Sequence, residues 1–151
     1  MGGSDAELRA YAAALPVPEL GDAAWVRPKP LAEATVAIVT TAALHRADDE
    51  RYTATDTGFR VLERDARDLV LGHWSPNFDR AGFAADIDVV YPIDRLEELA
   101  ERGVIGGVAS RHFAFAGNQD DTVTRVRLDS GPQAAAMLCE DGVDIVLLTP
   151  V

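Results

Sequence analysis

Two runs of mainly apolar residues constrain the fold of this chain most strongly. Thr35–Thr41 reads TVAIVTT, and Val143–Thr149 reads VDIVLLT close to the end of the 151 residues. An unbroken apolar run is typical of a strand covered on both faces, as in a parallel sheet, whereas a strand with one wet face alternates apolar and polar residues. A helical pattern over Asp129–Glu140 stops at Gly142, just before the second run. We therefore predict an α/β fold with a mostly parallel sheet flanked by helices, Rossmann-like and a single compact domain.

Shorter patterns complete this prediction. Ser4 and Glu7 have the spacing of a capping box before a helix that runs to Leu15. Ile93–Arg102 has its apolar residues on one helical face. Short strands are predicted at Phe59–Leu62, Leu69–Leu71 and Asp88–Tyr91, and a loop at Ser75–Asp86. We expect residues 1–30 to form an N-terminal helix and arm, and residues 31–151 to form the α/β domain.

Charge and cysteine content exclude several functional classes. The formal net charge is −11, from 25 acidic against 14 basic residues, whereas nucleic acids and anionic membranes are bound through clusters of Lys and Arg. No run approaches the roughly 18 apolar residues of a membrane span, and no signal peptide is visible. We therefore expect a cytoplasmic protein that binds neither nucleic acid nor membrane. The single cysteine, Cys139, excludes an internal disulfide and a cysteine-based zinc site, and we expect it to be buried in its helix.

The histidines are the first candidates for chemistry. His45, His73 and His112 each stand at the end of, or just after, an apolar run, and ligands bind at the carboxyl ends of strands in open α/β sheets. Three imidazoles with an open fourth position would suit a catalytic divalent metal such as zinc, iron or cobalt. No HxH or HxxxH spacing supports that reading. Substrate hydrogen bonding and ordinary packing therefore stay open as alternatives.

Polar residues near these histidines are further candidates. The segment HWSPNFDR contains Asn77, Asp79 and Arg80 beside two aromatic residues. It fits a binding loop, and it equally fits a turn in which Asn77 and Asp79 satisfy backbone N–H groups. Thr41 leaves the first apolar run, where its hydroxyl would hold a carboxylate or phosphate, or simply favour the strand. Arg60 would pair with a substrate carboxylate, or with a nearby acidic side chain at the surface.

Four segments between Thr35 and Val151 also carry a family resemblance. In order they read TTAALHRADD, DTGFRVL, HWSPNFDRAGFAADIDVVYPIDRLEELAERGVIGGVASRHFAFAG and AAMLCEDGVDIVLLTPV. They resemble the selenoprotein B family, which includes the catalytic B component of glycine, sarcosine and betaine reductases and the related subunit of D-proline reductase. The block from His73 to Gly117 is the most specific part of the resemblance.

The resemblance implies redox chemistry at the end of the last strand. In that family, a strand resembling VDIVLLTPV is followed at once by selenocysteine or cysteine, then two residues, then cysteine. A helix N-terminus lowers the pKa of such a selenol or thiol. The implied reaction is reductive cleavage of a carbon–heteroatom bond in a small amino-acid-like substrate, with the pair oxidised to a disulfide or selenide-sulfide. This sequence ends at Val151, before any such pair. Because UGA encodes both selenocysteine and a stop, we expect selenocysteine in a full-length form.

The resemblance also implies which residues surround that pair. We expect His45 or His73 to donate a proton to the leaving group and Arg60 or Arg80 to orient a substrate carboxylate. The full set of predicted catalytic residues is His45, His73, His112 and Asp79, and the predicted substrate-binding residues are Thr41, Arg60, Asn77 and Arg80.

Two other functions stay open beside this one. The chain would be a histidine-ligated metal enzyme that is complete without thiols, with His45, His73 and His112 as ligands. It would alternatively be a non-catalytic or truncated binding subunit. The partners expected are a small-molecule substrate and either a second copy of the chain or a thiol-donor protein, since a strand at a sheet edge invites pairing.

Overall fold

A computed structural model describes residues 4–14, 26–74, 80–119 and 123–151. The helices are α1 (Asp5–Ala13), α2 (Arg80–Ala85), α3 (Ile93–Glu101) and α4 (Gly131–Glu140). The strands are β1 (Thr35–Thr40), β2 (Leu44–Arg46), β3 (Phe59–Glu63), β4 (Leu69–Leu71), β5 (Gly107–Val108), β6 (Arg111–Phe115) and β7 (Ile145–Thr149). Short 3₁₀ turns lie at Leu31–Glu33 and Ile87–Val89, and a π-helical turn at Val126–Ser130 leads into α4.

Strand β1 is the centre of the main sheet. On one edge it pairs in parallel with β7 along Val36–Thr40. On the other edge it pairs in parallel with β5 at Thr35 and Val36, and with β6 at Val39 and Thr40. Strands β5 and β6 therefore form one interrupted strand along a single edge of β1.

Both faces of β1 are covered, which explains its unbroken apolar sequence. Val36 and Ile38 belong to a core that includes Tyr91, with Ile93 and Leu96 of α3. Ala37 lies on the opposite face with the second core, whose other buried members are Ala109, Phe113, Phe115, Ala134 and Leu138. The prediction of a buried central strand between helices is confirmed at this position.

The α/β class is confirmed, and the strand pairings are of both orientations. β3 pairs with β6 in antiparallel orientation, and β2 and β4 form a separate antiparallel pair. The chain is thus a mixed α/β fold, in which β1 pairs in parallel with β5, β6 and β7 while the other two pairings are antiparallel. The short sequences that form β2, β3 and β4 contain no signal for strand direction, which is set by the tertiary contacts.

Several predicted elements differ in detail. Arg80–Ala85 is a helix within the predicted loop, and Ile87–Val89 is a 3₁₀ turn where a strand was predicted. β7 lies at the sheet edge with Leu148 exposed, although its sequence indicated a fully buried strand. Cys139 is exposed rather than buried, because it faces away from the core contacts of α4.

The capping box at the first helix is confirmed. The backbone N–H of Ser4 donates to Oε2 of Glu7 at 2.7 Å, and the backbone N–H of Glu7 donates to Oγ of Ser4 at 3.3 Å. None of the helices in the described ranges has the length and apolarity needed to cross a membrane. The division at residue 30 stays a prediction.

Candidate active site

The carboxyl ends of β1 and β7 meet at one edge of the main sheet. Thr41, directly after β1, donates its hydroxyl to the Val151 carbonyl at 3.2 Å and accepts from the Val151 N–H at 2.8 Å. The Thr41 backbone N–H donates to the Thr149 carbonyl at 3.2 Å. Thr41 therefore holds the last residues of the sequence against the sheet. Its predicted contact with substrate stays a prediction.

His73 lies beside this strand end, with 7% of its surface exposed. A Cβ placed on Gly117 would lie 2.6 Å from Nε2 of His73, 2.9 Å from the Val151 carbonyl oxygen and 3.0 Å from the Thr41 carbonyl oxygen. The absence of a side chain at position 117 is thus what lets these groups converge. Burial first, and the charge of Arg80 second, lower the pKa of His73, while the Val151 backbone opposes the shift. The imidazole is therefore neutral at pH 7, in the form that accepts a proton.

His45 reaches the same region from the small sheet. Its Nδ1 lies 3.4 Å from the Ala43 carbonyl, and its ring meets Tyr52 edge to face with centroids 5.9 Å apart. The N–H of Gly72 donates to the same Ala43 carbonyl at 2.9 Å. A Cβ on Gly72 would lie only 3.2 Å from Cε1 of His45. Gly72 therefore lets the backbone that leads into His73 pass close to His45.

His45 and His73 line one cavity of about 400 Å³. The other residues that line it are Arg51, Tyr52, Val70, Leu71, Gly72, Trp74 and Arg80. Two of these are arginines, and none of the described lining residues is acidic. In a chain of net charge −11, this is a local reversal of sign that favours an anionic ligand.

Tyr52 and Trp74 form the aromatic wall of the cavity. The Tyr52 hydroxyl donates to the Ala114 carbonyl of β6, which joins the loop before β3 to the main sheet. Nε1 of Trp74 donates to the Tyr52 carbonyl at 2.9 Å. The segment that carries His73 is thereby tied to the segment that carries Tyr52.

Arg60 is engaged in contacts within the protein. It pairs with Asp56 at 2.9 Å, and its Cζ lies 4.4 Å above the ring of Tyr52. Its Nε also donates to the Glu50 carbonyl at 3.0 Å. These contacts place Arg60 behind the aromatic wall, and it does not line the cavity. Its predicted role toward a substrate carboxylate has no support from this position.

Arg80 is the predicted arginine that does line the cavity. It begins α2, and its Nη2 donates to the His73 carbonyl at 2.7 Å. Asn77 and Asp79, predicted from the same segment, lie outside the described residues, and their roles stay predictions.

His112 lies in the core rather than at the cavity. Its Nδ1 accepts the backbone N–H of Ile38 at 2.9 Å, and its ring packs edge to face on Tyr91. The imidazole replaces a backbone acceptor where β5 and β6 are interrupted, opposite Ile38. Burial lowers the pKa of His112 to about 4, with smaller contributions from Arg64 and Arg67. Only His45 and His73 of the three histidines therefore share a cavity.

The described part of the chain brings no three His, Cys, Asp or Glu side chains together in a way that would hold a metal ion. This agrees with the position of His112, whose Nδ1 is already bound to the backbone.

Four residues that the sequence did not single out prove to shape the site. They are Arg51, Tyr52, Gly72 and Gly117. The sequence contained two signals for them. Tyr52 is the single aromatic residue in the polar segment ADDERYTATD, and Gly72 and Gly117 directly precede His73 and follow FAFA.

Comparison with known proteins agrees with the resemblance. A family model described as glycine/sarcosine/betaine reductase selenoprotein B matches residues 7–151. D-proline reductase subunit gamma from Acetoanaerobium sticklandii is 37% identical over 124 residues, which cover 80% of this chain and 50% of that protein. The glycine reductase complex component B subunit gamma from Carboxydothermus hydrogenoformans is 28% identical over 131 residues, which cover 80% of this chain and 29% of that protein.

The chain thus spans half of the first relative and less than a third of the second. No solved structure matches it. Because the family model extends over nearly every residue, from position 7 to the last, the chain belongs to the glycine/sarcosine/betaine reductase selenoprotein B family.

Proposed function

We propose that the chain forms the pocket of a reductase that cleaves a carbon–heteroatom bond in a small amino-acid-like substrate. The observation that carries the proposal is the convergence of His73, Thr41 and Val151 at the end of β7, beside a cavity that His45 also lines. The family and the names of both relatives support the reaction class. The selenol/thiol pair is expected directly after Val151 and is not among the residues of this sequence.

The proposed reaction transfers two electrons from the selenol/thiol pair to the substrate. The selenol or thiol attacks the substrate carbon, and the carbon–heteroatom bond breaks with its electrons going to the leaving group. The second thiol then attacks the chalcogen, which releases the carbon as its protonated form and leaves a disulfide or selenide-sulfide. The pair is oxidised by two electrons and the substrate is reduced by two. A dithiol or a thiol-donor protein restores the pair.

His73 suits the proton transfers of this reaction. Its lowered pKa makes it neutral at pH 7, so it first takes the proton of the attacking group. The resulting imidazolium then donates that proton to the leaving heteroatom. His45, in the same cavity, is the alternative donor. Cys139 is on an exposed face of α4, away from this cavity, and is not proposed as the nucleophile.

The first test compares the 151-residue chain with an extended form read from the gene past codon 151. The extended protein is purified from its native host under reducing conditions with its co-purifying subunits. The assay follows loss of D-proline, glycine, sarcosine or betaine together with oxidation of dithiothreitol. We expect equal amounts of substrate consumed and dithiol oxidised by the extended form, and no turnover by the 151-residue form.

A variant of the extended form tests the role of His73. His73→Gln is expected to reduce turnover by roughly 10²-fold or more, the usual contribution of a positioned acid or base. Turnover by the 151-residue chain alone would overturn the proposal. A UAA or UAG codon directly after codon 151, or no downstream frame with a CxxC-like pair, would also overturn it.

The two alternative functions give different results in the same preparations. A metal enzyme would contain near-stoichiometric zinc, iron or cobalt that is lost in His73→Ala, as measured by elemental analysis. A binding subunit would bind a compound of the panel without consuming it, even in the extended form. We also propose that the protein is located in the cytoplasm. It would associate with a second copy of the chain or with a thiol-donor protein.

A further inference from the structure

We propose that Arg51 is the residue that binds the carboxylate of the substrate in the cavity lined by His45 and His73. This inference rests on the proposed function in taking that cavity as the substrate site. It replaces Arg60, which the sequence suggested for this role, and it names a residue that the sequence did not.

Arg51 differs from the neighbouring arginines in having no partner among the residues that the structure describes. Arg46 pairs with Asp48 and Asp68, and Arg60 pairs with Asp56. Arg51 makes no ion pair, hydrogen bond or ring contact with any described residue. An arginine that lines a cavity and has no partner among the described residues is placed for an anion from outside the protein.

The backbone that carries Arg51 is nevertheless held in place. The next residue, Tyr52, is fixed through its hydroxyl to Ala114 and through its carbonyl to Trp74. Arg60 packs on the other side of the Tyr52 ring. Only the side chain of Arg51 then has to be ordered when a ligand binds, because its backbone is already held beside the cavity. This reduces the loss of conformational entropy on binding.

The surroundings fix the chemical class of the ligand. Arg80 adds a second positive charge to the cavity lining, and no described lining residue is acidic. A planar guanidinium matches a carboxylate with two parallel hydrogen bonds. The walls formed by Tyr52, Val70, Leu71 and Trp74 are apolar and aromatic. This combination suits a small carboxylate with a short apolar body, such as a cyclic or N-alkylated amino acid.

Trp74 supplies a direct measurement of binding because it lines the cavity. We would record its fluorescence in the 151-residue chain carrying Trp25→Phe, so that Trp74 is the single tryptophan. D-proline and its amide, D-prolinamide, are titrated separately. The two probes share the ring and differ in the carboxylate.

We expect Arg51→Gln to weaken D-proline binding about tenfold or more, as for the loss of a hydrogen-bonded ion pair. D-prolinamide binding should stay unchanged, and Arg51→Lys should restore D-proline binding in part. The matched control is Arg102→Gln, which removes the same charge from an exposed position after α3 that does not line the cavity. It should leave the binding of both probes unchanged.

Three results would overturn the proposal: unchanged D-proline binding by Arg51→Gln, an equal loss for the acid and the amide, or no binding of D-proline by the parent protein. The role of Arg51 and the proposed reductase function can be rejected independently, because the binding assay requires no turnover. Selective loss of carboxylate binding together with an inactive extended form would reject the reductase and retain the role of Arg51. Turnover with an unchanged KM in Arg51→Gln would reject the role of Arg51 and retain the reductase.

Discussion

His112 is the histidine whose protonation the fold opposes most strongly. Its Nδ1 accepts a hydrogen bond from Ile38, so the ring proton is on Nε2 and the neutral form is required. The folded pKa of about 4 lies below the ordinary value of 6.5. A histidine with a lowered pKa binds fewer protons when folded than when unfolded, so stability falls as the pH falls below 6.5.

We expect the free energy of unfolding to decrease by roughly 3 kcal/mol through His112 between pH 6.5 and pH 4. His73, whose pKa is also lowered, adds to the loss in the same direction. In His112→Asn the amide oxygen can still accept from Ile38 and nothing titrates there, so the slope should be shallower. Urea unfolding at pH 7, 5.5 and 4.5 measures it. Tyr91→Phe should keep the parental slope, and equal slopes for His112→Asn would contradict the prediction.

Gly117 offers a test of close packing at the site, and Gly82 serves as its control. In Gly117→Ala, the new Cβ would lie 2.6 Å from Nε2 of His73, so His73 or Val151 must move. We expect a loss of about 1–3 kcal/mol, as for other overpacked positions, and weaker ligand binding in the cavity. Gly82→Ala is the control, because nothing lies within 4 Å of a Cβ there and alanine favours the helix α2. It should raise the melting temperature, and similar melting temperatures for the two variants would contradict the prediction.

Residue positions, though not roles, were predictable where the sequence indicates a strand end. His45 and His73 were found from their positions after apolar runs, and both line the cavity. His112 follows the same pattern, yet the interruption before β6 turns its side chain to a backbone N–H. Arg60 and Cys139 show the limit of this approach. Whether an arginine is paired, or a helical cysteine exposed, depends on contacts distant in sequence.

At the scale of elements, the π-helical turn before α4 depends on one glycine. The N–H of Gly131 donates to the Val126 carbonyl, which closes the wide turn. A Cβ on Gly131 would lie 2.5 Å from that carbonyl oxygen. The sequence predicted one helix from Asp129 onward, because a π turn has no distinct apolar periodicity.

We expect Gly131→Ala to lower the free energy of unfolding by about 1–3 kcal/mol, because the carbonyl of Val126 must move away. Ala136→Gly, at an exposed position in α4, is the control, and it should cost at most about 1 kcal/mol. Thermal unfolding followed by circular dichroism measures both. A Gly131→Ala variant as stable as the parent would show that the turn rewinds into an ordinary helix without cost.

At the scale of the whole molecule, β7 gives the sheet an open edge. Among the residues described, β7 pairs with β1 alone, and 67% of Leu148 is exposed. An edge strand with exposed apolar side chains favours pairing with another chain. The net charge of −11 opposes association of identical chains, and salt screens that repulsion.

We therefore expect the 151-residue chain to self-associate more strongly as salt is raised. Leu148→Lys should reduce this association because it places a charge on the contact surface. Val104→Lys, at another exposed apolar position that follows α3, should not. Sedimentation velocity over a range of concentrations measures the association. A parent chain that stays monomeric at all concentrations would contradict the prediction.

The parts of the fold that were predictable are those in which the pattern of apolar residues indicates which faces are buried. The run at β1 indicated two covered faces, and α3 and α4 do contribute to the cores on those faces. The directions of β2, β3 and β4 were not predictable, since three to five apolar or mixed residues fit either orientation. The parallel arrangement predicted from β1 therefore holds for the strands that pair with β1 and does not hold for the pairings of β3 with β6 and β2 with β4.

Ala43 adopts a left-handed backbone conformation, with φ of 52°, at the point where the chain passes from one sheet to the other. Its carbonyl is the shared anchor of the His45 ring and of the backbone that leads to His73. A shift of this one peptide would carry both imidazoles along together. A movement at the junction of the two sheets would therefore leave the spacing between the two imidazole rings unchanged, and it would tilt both rings together relative to the end of β7.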